Sequence, residues 1–361
     1  MKALLIKLGS RMYFDTKSTK MTGITGEALS IMKILKKSYD HVTAYTKVLD
    51  KDIKNPDFDF QQINTDHLDE YDHLFVINGN VNFFGGAEDP EQIMNYEVIN
   101  KFKGKVFYIL CDPALLLKQI WPSVEKKEWG SKYTEEQLNI TRTDIECITQ
   151  AYDVAKIKER SKKAVPFAAV HYYPMERFPL MFEGVPYNEN PEWDLLYGGT
   201  FRGGRREKDM VNYYFGLKGV KAQMFGLKLK DFKKQGSLTP PEFGDPVDYR
   251  DFIKKMNTGM ATVIIGDPSY IECSDLAQRI YECVQANVVC LIDSKYDPKK
   301  RVFKSDELNK FCHVNFKRDV EDRIAKLKAD PSLRKHLCEL QLAETAYDGW
   351  KEDLEKICCL S

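Results

Sequence analysis

A short stretch rich in glycine and arginine carries the strongest chemical signal in the chain. It reads "YGGTFRGGRRE" from Tyr197 to Glu207, after the apolar run "WDLL" and before a helical pattern. Glycines let backbone amides approach a ligand, and a helix start offers unpaired N–H groups and a positive dipole end. Arg202, Arg205 and Arg206 add fixed positive charge at this junction. The stretch matches neither a P-loop nor a dinucleotide fingerprint, so it indicates an anion site, with a solvated turn as the alternative.

A second stretch, "VIIGDPSYIECSDLAQRIYE", has the residue types of a nucleotide site. It predicts a buried strand ending at Asp267, a loop with Tyr270, and a helix with Arg279 and Glu282 on one face. The carboxylate suits ribose hydroxyls and the guanidinium suits phosphate, whereas an ordinary helical salt bridge is the alternative. Both stretches follow predicted strands in the second half of the chain, and together they predict a site for a nucleoside diphosphate.

Three acidic residues are candidates for acid–base chemistry. Asp112 ends the apolar strand in "YILCDPALLL", where a partly desolvated carboxylate would serve as a general base. The alternative role for Asp112 is to cap the helix that follows Pro113. Glu27 lies at the start of the first long helix and Glu176 lies in "YYPMER", both beside predicted loops of a ligand cleft.

The elements that must position these residues alternate between short apolar strands and longer amphipathic helices. This alternation is typical of parallel α/β architecture. The predicted strands are "KALLIKL", "HVTAYT", "HLFVING", "KVFYILCD" and "DIECITQ" in the first half, and "WDLLYGG", "VKAQMFG", "ATVIIGD" and "NVVCLID" in the second. A stretch rich in proline and aromatic residues, 165–190, predicts a linker.

The pattern predicts two Rossmann-like, doubly wound domains that face each other across a cleft. The first covers residues 1–182, the second covers residues 190–340, and the last helix, within 341–361, packs back onto the first. Because ligands bind at the carboxyl ends of strands in open parallel sheets, the residues singled out above all border the predicted cleft.

Composition and charge exclude several classes of protein. Of 361 residues, 43% are hydrophobic and 30% are charged, and no apolar run is long enough to span a bilayer, so we expect a cytoplasmic globular protein. Nine irregularly spaced cysteines predict reduced thiols. Lysine plus arginine equals aspartate plus glutamate at 54 each, so a polyanion must be bound by local patches, for which 228–234 and 156–163 are the candidates.

The chain resembles a known family. "NFFGG" (Asn82–Gly86), "WPSV", "YTEEQL", "YGGTFRGGRRE", "IIGD" and "LID" occur here in the order they have in the DNA β-glucosyltransferases of T-even bacteriophages. The resemblance runs from the first strand to the last helices. It implies a GT-B enzyme that transfers a sugar from a UDP-sugar to 5-hydroxymethylcytosine in duplex DNA. It also implies a monomer, with no membrane, in the cytoplasm of the infected bacterial host.

The resemblance implies a role for each candidate residue. Asp112 corresponds to the catalytic base, and Glu27 to a second acid in the catalytic pocket. The residues implied for the UDP-sugar are Gly199, Thr200, Arg202, Arg206, Asp267, Tyr270, Arg279, Glu282 and Glu176. The loop implied to enter DNA beside an extruded nucleotide consists of Asn82, Phe83, Phe84, Gly85 and Gly86. A Mg²⁺ or Mn²⁺ ion at the diphosphate is a further candidate, with unknown protein ligands.

The implied reaction is an inverting displacement, in which Asp112 deprotonates the hydroxymethyl oxygen as it attacks C1 of the sugar. Thr200 replaces a serine of the family. The segment from Gly9 to Glu27 is longer than its family counterpart and borders the pocket, so glucose and arabinose are both candidate sugars. Hydroxymethyluracil is an alternative acceptor base. Two rival functions stay open: a glycosyltransferase for a small molecule or glycan, and a DNA-binding relative without activity.

Overall fold

The structure is a computed structural model that describes residues 1–7, 23–46, 59–77, 90–111, 140–161, 167–199, 204–266 and 268–360. It divides into two compact units. The first unit comprises Met1–Met175 and Asp348–Ser361, and the second comprises Glu176–Tyr347.

The first unit is built on a sheet of seven parallel strands. These are β1 (Lys2–Lys7), β2 (His41–Thr46), β3 (Asp59–Gln62), β4 (His73–Ile77), β5 (Lys105–Leu110), β6 (Glu146–Thr149) and β7 (Val170–Tyr172). Their order is β3-β2-β1-β4-β5-β6-β7, with every neighbouring pair parallel. The helices described here are α1 (Gly23–Ser38), α2 (Pro90–Lys101) and α3 (Val154–Ser161). The winding reverses between β1 and β4, which is the doubly wound arrangement the sequence predicted.

Apolar strands form the core of this unit. A parallel sheet is covered on both faces, so its central strands are apolar in succession rather than in alternation. Leu4, Leu5, Phe75 and Phe107 are fully buried, and the rings of Phe75 and Phe107 stack with centroids 5.2 Å apart. One apolar face of α1 is buried throughout; it consists of Ala28, Ile31, Met32, Ile34 and Leu35.

Two strands of this unit were not predicted. β3 has the sequence "DFQQ", whose polar composition gives no strand signal, and it lies at the edge of the sheet. β7 has three residues and lies at the other edge, within the stretch predicted as a linker. That stretch also holds the 3₁₀ helix Met175–Met181. The boundary between the two units, after Met175, lies within the predicted linker stretch. The strand in that stretch was not predicted, because short edge strands carry too few residues for a periodic pattern.

The second unit is built on a sheet of six parallel strands. These are β8 (Trp193–Gly198), β9 (Ala222–Phe225), β10 (Glu242–Gly244), β11 (Gly259–Ile264), β12 (Val289–Asp293) and β13 (His313–Val314), in the order β10-β9-β8-β11-β12-β13. All neighbouring pairs are parallel. The helices are α4 (Gly204–Tyr214), α5 (Tyr249–Met256), α6 (Pro268–Cys273), α7 (Arg279–Gln285), α8 (Asp306–Cys312), α9 (Lys317–Ala329) and α10 (Pro331–Thr345).

The chain ends in helix α11 (Trp350–Cys358), which belongs to the first unit. The Tyr173 hydroxyl, just after β7, donates a hydrogen bond to the Trp350 carbonyl at 2.8 Å. All nine cysteines are free thiols, and eight of them are buried. Among the helices that the structure describes, none is both long and apolar enough to span a bilayer.

Candidate functional site

The topology of the second unit marks one edge of its sheet as a binding edge. The winding reverses between the neighbouring strands β8 and β11. In doubly wound sheets, ligands bind outside the carboxyl ends of the two strands at such a switch point. The segments that leave this edge are Gly199 with the following α4, and Ile265 and Gly266 before α6. These segments contain the glycine and arginine stretch and the start of the second predicted stretch.

Two glycines allow close packing at the end of β8. A Cβ on Gly198 would lie 2.2 Å from Cζ of Phe225 and 2.6 Å from Cε2 of Phe252, so no side chain fits there without displacing a ring. Gly226 has a φ of +78°, and a Cβ on it would lie 2.5 Å from the carbonyl oxygen of Gly199. The Gly199 amide donates to the Phe225 carbonyl at 3.3 Å. The backbone after β8 is therefore held directly against the end of β9.

Arg206 lies in the first turn of α4 and is half-buried at this edge. Its Nη2 donates to the Ile265 carbonyl oxygen at 3.2 Å. Its Nε is buried and has no hydrogen-bond partner among the described residues. A guanidinium is always charged and carries five donors, and the start of a helix favours anions. A buried donor left open beside a helix start therefore fits an anionic ligand such as a phosphate.

Arg279 and Glu282 form the pair that their spacing predicted. Nη1 of Arg279 lies 2.8 Å from Oε2 of Glu282, one turn along α7. The Tyr249 hydroxyl donates to Oε1 of Glu282 at 2.9 Å, and the guanidinium lies 3.9 Å from the ring centroid of Phe252. Burial lowers the pKa of Arg279, but the Glu282 carboxylate and further neighbours outweigh burial and raise it. The Arg279 guanidinium thus stays charged, and the pair lies against helix α5.

Tyr270 lies in helix α6 rather than in the predicted loop. Proline at the first helical position favours a helix start, and α6 begins at Pro268. The Tyr270 ring borders the backbone after β11: a Cβ on Gly266 would lie 3.2 Å from Cδ2 of Tyr270 and 2.8 Å from Cδ1 of Tyr296. Two tyrosine rings therefore border the segment that carries the Ile265 carbonyl.

Glu176 is buried and lies near α7. Only 2% of its surface is exposed, and it belongs to the 3₁₀ helix Met175–Met181. Burial raises the pKa of Tyr281, and the nearby Glu176 carboxylate raises it further. Tyr281 is two residues from Arg279, so Glu176 packs on the same helix as the Arg279–Glu282 pair. Glu27 lies in the second turn of α1 in the first unit, where it is half-buried.

Several predicted site residues lie outside the described residues. They are Asp112, Thr200, Arg202, Asp267, and the loop residues Asn82, Phe83, Phe84, Gly85 and Gly86. Asp112 follows Cys111, the residue after β5, so it remains a predicted residue at the carboxyl edge of the first sheet.

One polar cluster of the second unit was missed by the sequence reasoning. Asp209 of α4 contacts Lys295 and Tyr296, which follow β12, and Lys295 also contacts Asp293. The spacing of residues along the sequence does not predict this cluster, because Asp209 and its partners lie more than eighty residues apart in the chain. The sequence feature that could have indicated it is the position of Lys295 just after the predicted strand "NVVCLID", where the chain leaves the carboxyl edge of the sheet.

The described residues do not form a protein-held metal site. No group of three or more histidine, cysteine, aspartate or glutamate side chains among them is arranged to hold a metal ion. The charged hydrogen-bond donors at this edge are Arg206 and Lys295, and such donors suit an anion.

Comparisons with known proteins identify sequence relatives of this chain. The family model described as "Bacteriophage T4 beta-glucosyltransferase" matches residues 25–179. The DNA beta-glucosyltransferase of Enterobacteria phage T4 is 30% identical over 279 residues, which cover 76% of this chain and 78% of that protein.

Solved structures of the T4 phage protein have the same fold. Its complex with UDP and Mn²⁺ is 26% identical, with a TM-score of 0.80, over 99% of each chain. A mutant of it in complex with UDP-glucose is also 26% identical, with a TM-score of 0.79, over 99% of each chain. The predicted α/β GT-B fold is thereby confirmed.

Proposed function

Because the chain belongs to the bacteriophage T4 DNA β-glucosyltransferase family, we propose that it transfers glucose from UDP-glucose to DNA. The observation within the chain that carries the proposal is Arg206. It offers a buried open donor at the start of α4, next to the switch point of a Rossmann-like sheet. Such a position suits the diphosphate of a nucleotide-sugar.

The UDP part of the donor binds along the carboxyl edge of the second sheet. Arg206 and the first amides of α4 bind the diphosphate, together with Arg202, for which the order of residues in the stretch is the support. Glu282 accepts hydrogen bonds from the ribose hydroxyls, while Arg279 adds charge for a phosphate. Gly199, Thr200, Asp267, Tyr270 and Glu176 complete the donor site in this proposal.

The transfer is a single displacement at C1 of the sugar. Asp112 takes the proton of the acceptor hydroxyl, the acceptor oxygen forms a bond to C1, and the bond from C1 to the UDP oxygen breaks. The charge that develops on UDP is stabilised by Arg206 and Arg202. Glu27 is the second acid of the pocket. Support for these assignments is the position of Asp112 after β5 and of Glu27 near the start of α1.

The acceptor is the hydroxymethyl group of 5-hydroxymethylcytosine in duplex DNA. That group projects into the major groove, whereas the proposed base Asp112 lies in a cleft. The nucleotide therefore leaves the helix, and the loop Asn82–Gly86 occupies the gap with Phe83 or Phe84. The protein acts as a monomer in the cytoplasm of the infected bacterium.

The charge of the leaving group is met by the arginines, and a Mg²⁺ or Mn²⁺ ion at the diphosphate is part of the same proposal. The complex of a T4 phage relative with UDP and Mn²⁺ supports such an ion. A cation supplied with the nucleotide would add positive charge at the diphosphate.

The function is tested with a panel of donors and acceptors. Purified protein is incubated with UDP-glucose or UDP-arabinose and with duplexes that contain cytosine, 5-hydroxymethylcytosine or 5-hydroxymethyluracil, and the digested nucleosides are weighed by mass spectrometry. We expect a hexose to be added to 5-hydroxymethylcytosine. Addition of arabinose instead would show that the donor is UDP-arabinose. A variant with a shortened Gly9 to Glu27 segment would then test whether that segment selects the sugar. No transfer of sugar to any of the duplexes would contradict the DNA proposal.

A further inference from the structure

A cluster of four polar side chains lies where β12 ends, next to α4. The Lys295 ammonium lies 2.6 Å from Oδ1 of Asp209 and 3.0 Å from Oδ2 of Asp293. The Tyr296 hydroxyl donates to Oδ2 of Asp209 at 2.8 Å. Both carboxylate oxygens of Asp209 are therefore engaged by residues that follow β12.

This cluster adjoins Arg206. Arg206 and Asp209 are three residues apart on α4, a spacing that brings side chains together on a helix face. Within the part of the chain that the structure describes, Arg206 nevertheless forms no ion pair, and its Nη2 bonds the Ile265 carbonyl instead. Tyr296 borders the next residue, Gly266. The cluster and Arg206 thus meet the same short segment after β11.

The two carboxylates of the cluster are weakly screened by solvent. The side chains of Asp209 and Asp293 are 14% and 8% exposed, so their charges act strongly on their neighbours. Burial lowers the pKa of Lys295, but its hydrogen bonds to Asp209 and Asp293 outweigh burial and raise it, so the ammonium stays charged. Burial and the bond to Asp209 raise the pKa of Tyr296, so its hydroxyl remains a donor.

Without the ammonium, Asp209 would be a poorly solvated carboxylate one turn from a guanidinium. Opposite charges at this spacing attract, and the attraction grows as solvent exposure falls. Arg206 would then turn toward its own helix and away from an incoming anion. A ligand phosphate would have to displace this internal partner before it could bind, which lowers its affinity.

We propose that Lys295 is a positioning residue that occupies Asp209 and so keeps Arg206 available for the donor diphosphate. This inference rests on the proposed function, in which Arg206 binds that diphosphate. Lys295 itself contacts no part of the donor in this account and acts only through Asp209. Tyr296 supports it from the second oxygen of the same carboxylate.

The test compares UDP with uridine, which lacks the phosphates. Binding of each to wild type and to Lys295→Met is measured by calorimetry. UDP should bind roughly tenfold more weakly to the variant, the effect of losing one charge-assisted contact. Uridine should bind equally well to both proteins. In the transfer assay, KM for the UDP-sugar should rise while kcat changes little.

Removing the competing carboxylate should restore binding. In Lys295→Met with Asp209→Asn, the neutral amide no longer attracts Arg206, so UDP affinity should return close to that of wild type. Asp209→Asn alone should also bind UDP normally, which keeps the test open if Lys295→Met does not fold.

Lys328 provides a matched control. Its ammonium lies 2.8 Å from Oδ2 of Asp194, and the exposures of 47% and 14% resemble the 41% and 14% of Lys295 and Asp209. Asp194 lies at the amino end of β8, so Lys328→Met should leave UDP affinity unchanged.

Three results would overturn the inference: wild-type UDP affinity in Lys295→Met, an equal loss of uridine and UDP, or no recovery in the double variant. Wild-type protein that binds no UDP would instead overturn the proposed function, and this inference with it.

Discussion

Arg206 and Ile265 join the two segments that border the switch point of the second sheet. The guanidinium Nη2 of Arg206, in the first turn of α4, donates to the Ile265 carbonyl oxygen after β11 at 3.2 Å. The bond holds the side chain across the end of the sheet, and the buried Nε has no hydrogen-bond partner among the described residues. Helix start, sheet edge and fixed positive charge therefore coincide at one side chain.

The first prediction concerns this arginine. Arg206→Ala removes a charge-assisted contact to phosphate, a loss of about 1.5–3 kcal/mol, so UDP should bind at least roughly tenfold more weakly. Uridine binding should change little. Calorimetry with both ligands checks this, and Arg205→Ala is the control, because the proposed site does not use Arg205. Equal UDP affinity in Arg206→Ala and wild type would remove Arg206 from the donor site.

The second prediction concerns the pair on α7. Glu282→Gln keeps the shape of the side chain but leaves the Arg279 guanidinium without its carboxylate partner 2.8 Å away. We expect weaker UDP binding and a smaller preference for UDP over 2′-deoxy-UDP, since the ribose hydroxyls lose their charged acceptor. Tyr249→Phe is the control, because it removes only the hydroxyl bond at 2.9 Å and retains the ion pair. An unchanged preference in Glu282→Gln would show that the pair is structural alone.

The third prediction concerns the pH dependence of stability. Oδ2 of Asp297 lies 3.2 Å from Nε2 of His313, and the amides of Arg301 and Val302 also donate to this carboxylate. Burial raises the pKa of Asp297, but these hydrogen bonds outweigh burial and lower it below its ordinary value of 3.8. The native state thus binds the proton less readily than the unfolded chain, and the stabilisation is complete above the ordinary value and lost as the pH falls through the lowered pKa.

Asp297→Asn should therefore lower the free energy of unfolding by about 1–3 kcal/mol at neutral pH. The difference from wild type should shrink in strong acid, where both carry a neutral side chain. Urea denaturation of both proteins over a pH series provides the measurement. A constant difference at every pH would contradict the assigned charge effect.

The fourth prediction concerns DNA. The chain has zero formal net charge, so affinity for duplex must rest on local basic patches and should fall steeply as salt is added. One candidate patch is α3, where Lys156 and Arg160 can be replaced together by alanine; this should lower both the affinity and its salt dependence. Lys310→Ala with Lys335→Ala removes the same charge from exposed positions in the second unit and serves as the control. A salt-independent affinity would favour an acceptor other than DNA.

The sequence predicted those parts of the fold that carry a long, regular signal. β1, β4, β5, β8, β11 and β12 are apolar runs and were all predicted. β3, β7, β10 and β13 were not, because strands of two to four residues at or near the sheet edges show no periodicity. In the site, the Arg279–Glu282 pair was predictable because its spacing lies within one helix.

Other features of the site depend on contacts that local sequence does not encode. Tyr270 was expected in a loop, but α6 begins at Pro268 and includes it. The partners Asp209 and Lys295 come from α4 and from the segment after β12, and only the winding of the sheet brings them together. Which residues meet in such a cluster depends on the order and register of the strands and not on the spacing of residues along the sequence.

The central proposal is that the second unit binds UDP-glucose and that Asp112 is the base for the transfer of its sugar to DNA. The direct measurement is to compare wild type and Asp112→Asn for UDP affinity by calorimetry and for glucose transfer to 5-hydroxymethylcytosine duplex by mass spectrometry. The account predicts that the variant binds UDP like wild type and transfers no detectable glucose, because the amide cannot accept the acceptor's proton. Near-normal transfer by Asp112→Asn would contradict the account.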